Sequence, residues 1–455
     1  MQVIKQMLGI LITVLSVLML LDFSVFELRA FARAIAQRKK LLVQNAEHAE
    51  YVFARSLAFI TVLASCCDSA LGAIVISNLL VGTPHEGNTV FIGICSLTYG
   101  AGCVMGTILF GRVAKCKKIK IHILACAIVS FAACGVCAFG VYAGSLIAYL
   151  VGKFVSTTFI LIVYTYACNL SMFASDEERA TINRDISAAV ISGTTIAVLV
   201  GGWTSEILGN WAIYGVQLVF VALSIAAVCF LIPKNVALNA SKGEEASPVN
   251  EHFGVKQLIK VIFSPSVMCI LICVFSINMA NGYRSFVFPL FANQAGINDS
   301  TVSTLVAFTS ALIFLLVPYM DKIESKIGSV YMLAGGIGFL ACSYLFFLVS
   351  SSIVWAVIAL FLITMFGKVA SPSSVTVFQE NARKQNCPYS TSTTIYQLAQ
   401  NLIILARTPI LGVLLVFGSA GACGILGVVA AASCGLFLVD SRKSKKTKRN
   451  STDAS

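Results

Sequence analysis

Five ionisable side chains interrupt otherwise apolar runs of this sequence: Asp68, Lys153, Arg284, Lys368 and Arg407. A charge in an apolar medium is costly unless it meets a partner, a ligand or water, so chemistry is to be sought first at these positions. Asp68 stands about thirteen residues into one run and Lys153 about seven into another. So placed, the acid and the base can pair, either as a structural ion pair or as a coupling site whose carboxyl gains and loses a proton. The other three are all cationic, and the apolar runs around them hold no Asp or Glu. Three positive groups around one cavity favour an anionic ligand. Lys368 and Arg407 lie deep in their runs, whereas Arg284, near the end of its run, reads either as a ligand contact or as a side chain that snorkels to the headgroups. Asn278, Asn281 and Tyr283, with Gln397, Gln400 and Asn401, supply polar groups able to orient such a ligand.

Other chemistries find no support. The 16 cysteines lie nearly all inside apolar runs, which reads as small apolar packing rather than a disulfide framework. Cys134 and Cys137 form a C-x-x-C, but with no second pair and no nearby His it does not read as a metal or redox motif. His48, His85, His122 and His252 fall in loops or at segment ends, and no phosphate-binding glycine loop occurs. The expectation is no enzyme, no cofactor and no metal. Composition agrees: of 455 residues 58% are apolar and 11% charged, with a mean hydropathy of +0.89, which excludes a water-soluble enzyme. The net charge of +12 sits between apolar runs rather than in a stripe, so no nucleic-acid partner is expected.

The elements that must position these residues are membrane helices. Apolar runs of about 18 or more residues, enough to cross a bilayer, recur twelve times, six within 55–232 and six within 264–440. The polar stretch 233–263 separates the two sets. Residues 441–455 form a basic tail, Arg442 to Arg449, suited to anionic lipid headgroups. With the linker 23–54, the central loop and the tail in the cytoplasm, 27 of the 32 Lys and Arg fall in cytoplasmic loops or at their helix ends, which sets the expected orientation. Residues 1–54 read as a signal anchor followed by a linker. The short apolar segment near 6–22 is followed, not preceded, by Arg29, Arg33, Arg38, Lys39 and Lys40, the reverse of a cleavable signal. Leu28, Ile35, Leu42 and Ala49 recur every seven residues, which predicts a cytoplasmic amphipathic helix entering the first run at Arg55. A monomer is expected, with a dimer through residues 23–54 left open.

Several loops carry a resemblance. Gly106 to Lys120 places Gly111 and Arg112 before a basic hairpin and is similar to the G-x-x-x-D-R-x-G-R-K loop of the major facilitator superfamily. Here Lys115 stands at the acidic position, Cys116 at the following arginine and Lys118 at the second glycine. The second half repeats the loop as Val317 to Lys322 and keeps the Asp321 and Lys322 pair. Ser175-Asp-Glu-Glu-Arg179 resembles the family's acidic-then-Arg loop. Gly193, Gly201 and Gly202 resemble the fifth-helix pattern g-x-x-x-G-P-x-x-G-G associated with exporters, with Ala197 and Val198 replacing the central Gly-Pro. Such glycines also serve plain close packing. Lys153 holds roughly the place of the arginine in the family's fourth-helix R-x-x-x-G, with Thr157 where the glycine would be.

The resemblance covers about residues 50 to 440 and implies an all-α membrane protein: a twelve-helix fold of two pseudo-symmetric six-helix bundles, plus one extra amino-terminal transmembrane helix. It implies a gradient-driven secondary transporter working by alternating access. The solute expected is a small organic molecule, with an anion favoured and export leaned towards by the glycine pattern, and protons as the coupling ion. Asp68 and Lys153 are the coupling candidates. Gly111, Arg112, Asp321, Lys322, Gly193, Gly201 and Gly202 are the conformational ones. The rival reading is a membrane sensor, with a truncated amino-terminal input passing a signal to a transporter-like body. A multi-pass protein of a bacterial plasma membrane with a cytoplasmic carboxyl terminus is expected.

Overall fold

The computed structural model describes residues 2–44, 49–114, 116, 118–170, 176–232, 261–346, 352–385, 387 and 389–452. The central polar stretch 233–260, Lys115 and Ser175 lie outside the described residues, as do the side chains of Asp176 to Arg179, of Asp321 and of the tail from Lys443 on. Every element among the described residues is helical. In chain order they are α1 (Gln2–Val43), α2 (Ala54–Cys66), α3 (Gly72–Leu79), α4 (Thr89–Cys95), α5 (Leu97–Val113), α6 (Ile119–Tyr142), α7 (Leu146–Asn169), α8 (Asp176–Leu208) and α9 (Trp211–Leu231). They continue as α10 (Pro265–Gly282), α11 (Phe288–Gln294), α12 (Asp299–Ile327), α13 (Ser329–Phe346), α14 (Ile353–Arg383), α15 (Tyr389–Leu414) and α16 (Gly418–Thr452).

The pairs α2 and α3, α4 and α5, and α10 and α11 are each one interrupted membrane crossing, so twelve crossings follow α1. Among the described residues eleven stretches are long and apolar enough to span: α1 supplies one, Ile395–Arg442 holds parts of both α15 and α16, and α12 contributes the shorter apolar helix Asp299–Phe314. Helix is the only open-ended conformation that satisfies its own backbone in lipid, which is why apolar runs of this length fold this way. Two sharp reversals use glycine in the left-handed region, Gly144 (φ +67°) before α7 and Gly209 (φ +89°) before α9. The Ser145 hydroxyl caps α7 by accepting from the Ala148 amide.

The chain forms two compact units. The first holds 1–88, 95–244 and 292–314; the second holds 89–94, 245–291 and 315–455. The division does not follow chain order alone: 89–94 packs with the second unit and 292–314 with the first. Small residues explain both exchanges. In the second unit, Gly93 lies so close to α15 that a methyl there would sit 2.6 Å from the Thr408 carbonyl oxygen, and the Thr89 hydroxyl donates to the Gly412 carbonyl. In the first, a methyl on Gly202 of α8 would overlap Ser303 of α12.

α1 belongs to the first unit and is a single helix of 42 residues, about 60 Å long at 1.5 Å per residue, twice the hydrocarbon thickness. The short apolar segment and most of the linker are therefore one rod. Its buried face is Met19, Phe23, Glu27, Ala30 and Ala34. The seven-residue stripe expected from the sequence faces the other way: Leu28, Ile35 and Leu42 are exposed, and Ala49 lies beyond α1 in a separate turn, Ala49–Phe53. Glu27 sets this rotation. Buried Arg55, at the start of α2, grips its carboxylate through both Nε (3.2 Å) and Nη2 (2.8 Å), and the Ser192 hydroxyl of α8 donates to the same carboxylate at 2.6 Å. Phe23 and Phe26 meet the Phe314 ring edge-on at 5.6 and 5.3 Å, and the Ser16 and Thr304 hydroxyls share a hydrogen bond.

Breaking a buried pair from one side leaves an uncompensated charge. Glu27→Ala should cost about 3–5 kcal/mol of stability by stranding Arg55. Asp185, a second partner of Arg55 at 3.3 Å with its side chain 49% exposed, should cost no more than about 1 kcal/mol on replacement by Ala. Thermal unfolding in detergent checks the order; equal losses would contradict it.

Candidate functional site

Asp68 does not lie within a continuous helix. The crossing that begins at Ala54 stops at Cys66 and resumes at Gly72, and Asp68 stands in the gap, its own carbonyl accepting from the Leu71 and Gly72 amides. The local sequence Ser65-Cys66-Cys67-Asp68-Ser69 supplies side chains that compete for backbone groups: Ser65 donates to the Val62 carbonyl and Cys67 to that of Leu63. Non-helical backbone at this depth is tolerated where protein surrounds it. Gly201 of α8 provides that cover, since any Cβ there would overlap the Cys67 carbonyl oxygen. Gly193 sits about two turns earlier on α8, against Phe59 and Val62 of α2.

Lys153 arrives from α7, a helix wedged by close contacts on two sides. On one, α5 gives way at Gly102, opposite Thr157, and at Gly106, opposite the Thr158 carbonyl; on the other, Gly152 lies against the backbone of α6 at Ala133 and Cys137. The small residue that the family's fourth-helix pattern puts at position 157 is thus supplied by the neighbouring helix, as Gly102. The Lys153 ammonium meets both carboxylate oxygens of Asp68, at 2.8 and 2.6 Å, with the two residues 6% and 5% exposed. The Tyr214 hydroxyl of α9 donates to Asp68 Oδ2 at 3.1 Å, and the ammonium lies 5.6 Å from the centre of the Tyr99 ring of α5. Gln217, one turn along α9, donates to the Ala64 carbonyl just before the break. The two thiols of the C-x-x-C also serve this helix pair, Cys134 bonding with the Ser156 hydroxyl and Cys137 donating to the Tyr149 carbonyl.

The second unit gathers some of the expected ligand contacts at one level. Gly367 of α14 lies against Ala280 of α10, a Cβ there falling 2.9 Å from the alanine's, and a Cβ on Gly282 would fall 2.8–2.9 Å from the stem of Arg407 of α15. Arg407 is thereby held beside the turn Ala280–Gly282, which also carries Asn281, and Lys368 follows Gly367 on α14, half-buried. Arg284 follows at once, half-buried, inside a π-helical turn, Tyr283–Val287, that joins α10 to α11. Such bulges often mark functional positions. Asn401 is half-buried nearly two turns from Arg407, and Gln397 is exposed a further turn away. Asn278 turns its amide back to the Val274 carbonyl of its own helix, and Tyr283 donates to the Ala356 carbonyl.

Of the conformational candidates, Gly201, Gly193 and Gly202 are packed as described, whereas Gly111 has nothing within 4 Å of where a Cβ would stand; Arg112 and Lys322 are exposed. Among the described residues, no three His, Cys, Asp or Glu side chains cluster as metal ligands. Sequence reading missed Tyr214, Tyr149, Tyr99 and Glu27. The one signal available for the first two was a tyrosine at the fourth position of each of two apolar helices.

Twelve crossings in two units, a broken first crossing and an intramembrane acid–base pair define a multi-pass membrane protein with a transporter fold. The sequence matches the family model for the Major Facilitator Superfamily over residues 57–406. The chain belongs to that superfamily, a family of secondary transporters rather than enzymes. No curated protein matches it. Among solved structures it resembles the POT family transporter PepTSo, with a TM-score of 0.66 at 12% identity over 87% of this chain and 98% of that one. It also resembles a D-xylose-proton symporter (0.64, 15%, 84% and 97%) and the nucleoside transporter NupG (0.63, 12%, 86% and 98%). At such identities the likeness is one of fold.

Glycine substitutions separate packing from open surface. Gly201→Ala should push α8 off the Asp68 break and cost about 1–3 kcal/mol, the usual range for overpacking. Gly111→Ala, in open space on a helix, should be neutral or stabilise by up to about 1 kcal/mol. Melting temperatures of the two purified variants should therefore move in different directions or by different amounts; a matching fall would refute the distinction.

Proposed function

We propose that this chain is a proton-coupled transporter of a small organic anion. The observation that carries the reading is the buried contact of Lys153 with both oxygens of Asp68 on a broken membrane helix. A proton added to Asp68 removes the charge that holds the ammonium, so the pair opens; its loss closes the pair again. The free-energy difference between the two protonation states then becomes a difference between two conformations, which is what coupling requires. A proton symporter among the structures of like fold supports the choice of ion.

Charge selects the solute. The apolar segments of the second half carry Arg284, Lys368 and Arg407 and no Asp or Glu, and the Arg407 stem lies beside the Ala280–Gly282 turn, which carries Asn281. A carboxylate or phosphate there gains charge-assisted hydrogen bonds, with Asn401 and Gln397 further along the path. Export in exchange for protons is the direction favoured by the glycines at 193, 201 and 202, and a cytoplasmic carboxyl terminus follows from the Lys and Arg distribution.

Two measurements test this. A ligand that binds the folded state raises its melting temperature, so a panel of small organic acids, sugar phosphates and their neutral amides identifies the solute class. Lys368→Gln should then weaken an acid about ten- to a hundredfold while sparing its amide, as the loss of a contact worth about 1.5–3 kcal/mol requires; equal weakening of both would end the anion assignment. With a binding solute in hand, Asp68→Asn should abolish concentrative transport in proteoliposomes yet leave solute exchange across preloaded vesicles largely intact. Concentrative transport surviving in Asp68→Asn would reduce the pair to a structural tie.

A further inference from the structure

Tyr149 and Tyr214 each hold the fourth position of their helices, α7 and α9. These two helices start at the same membrane face, because α8 alone runs between them. At that face Tyr142, the last residue of α6, stands edge-on to Trp211, the first of α9, at 6.2 Å. One turn inward, the two tyrosines are buried, 2% and 0% exposed, with rings 5.6 Å apart and nearly perpendicular. Their hydroxyls lie 3.2 Å apart, and that of Tyr214 donates to Asp68 at 3.1 Å. Tyr214 is the donor in both contacts, and a hydroxyl has one proton, so its O–H turns either to Tyr149 or to the carboxylate. The result is a two-phenol chain that ends on Asp68.

Charge balance does not require this chain. Lys153 already meets both oxygens of Asp68, and a buried phenol elsewhere in the fold is content with a backbone carbonyl, as Tyr283 is with that of Ala356. The other titratable groups around Asp68 are thiols: Cys66 and Cys67 beside it, and Cys134 and Cys137 on α6. Cys134 and Cys137 are engaged with Ser156 and with the Tyr149 backbone, not with the phenols. Tyr99 of α5 faces Lys153, and α8 presents Gly201.

We propose that Tyr149 and Tyr214 form a proton relay between the membrane face at the start of α7 and α9 and the Asp68 carboxyl. The inference rests on Asp68 exchanging protons, as argued above, and names their route. In the inward step the Tyr214 O–H bond breaks as a new O–H bond forms on Asp68 Oδ2. Tyr149 passes its proton to the Tyr214 oxygen, and a hydronium ion at the turn restores that of Tyr149. One proton has moved from water to Asp68, and both phenols are neutral before and after. On the orientation proposed above, this route opens to the outer side, so the same pair of residues gives Asp68 a sided supply of protons.

The proton itself serves as the probe. Purified protein in phosphatidylethanolamine–phosphatidylglycerol vesicles is given a pH jump, and the carboxyl band that Asp68→Asn removes is followed by time-resolved infrared spectroscopy. Tyr214→Phe, which keeps the ring and its packing, should slow protonation of that carboxyl about a hundredfold, at the low end of what a positioned proton donor contributes. Tyr149→Phe should slow it too, without touching Asp68. A structural role would alter melting temperature and leave the rate alone. Wild-type rates in both variants overturn the relay while Asp68 still titrates; a carboxyl band with no Asp68 component at any pH overturns the coupling reading and the relay with it. Should Tyr214→Phe fail to fold, the rate in Tyr149→Phe decides.

Discussion

An ion inside a membrane protein must be matched where it stands, because bulk water is absent and the low-dielectric surroundings magnify any mismatch. In the first unit that requirement is met twice, by Lys153 on Asp68 and by Arg55 on Glu27. Much of the helix arrangement follows from these two contacts. The first pair fixes α7 against the gap between α2 and α3, and the glycines at 102, 106, 152 and 201 are what let backbones come close enough for a lysine and an aspartate to touch. The second fixes the rotation of α1 and makes that helix part of the bundle.

The two pairs differ in what surrounds them. Glu27 takes a guanidinium fork and a serine hydroxyl, an arrangement with several donors on one carboxylate and no hydroxyl chain leading away from it. Asp68 takes a single ammonium and a tyrosine, in a segment of turns where the helix is interrupted. Multiple rigid donors suit permanence, and a flexible lysine meeting an acid on an interrupted helix suits a contact that opens and closes. On the coupling proposed above, the same chemistry is divided between a fixed tie and a working one by the geometry of the donors.

Much of this was legible in the sequence. Long apolar runs, their six-and-six division and the ionisable residues within them follow from composition and spacing, since lipid leaves helix as the one solution for such runs. Asp68 and Lys153 stood out because charge is rare there. The gap at 67–71 did not, because the run around it stays apolar while the small hydrogen-bonding side chains that loosen it look like ordinary packing residues. Tyr214 is 146 residues from Asp68 and carries no local mark of that contact. Glu27 was hidden by its basic neighbours, and the repeat at Leu28, Ile35 and Leu42 drew the eye to the wrong face of α1; periodicity shows that a helix has a stripe, and only the partner shows which stripe is covered. The exporter-like glycines were visible as a pattern, but their use against the Cys67 carbonyl depends on the unseen gap.

The spacing of the two ion pairs along the chain has a consequence for synthesis. Glu27 and Arg55 are 28 residues apart, so both emerge almost together and can enter the bilayer as one neutralised hairpin. Asp68 must wait 85 residues for Lys153, roughly 4 to 17 seconds at ordinary elongation rates. Through that interval three crossings are made while the carboxyl has only water or a proton to compensate it. The order of residues therefore builds the permanent tie first, and the nascent first crossing is already anchored to α1 while its acid is still waiting for a base.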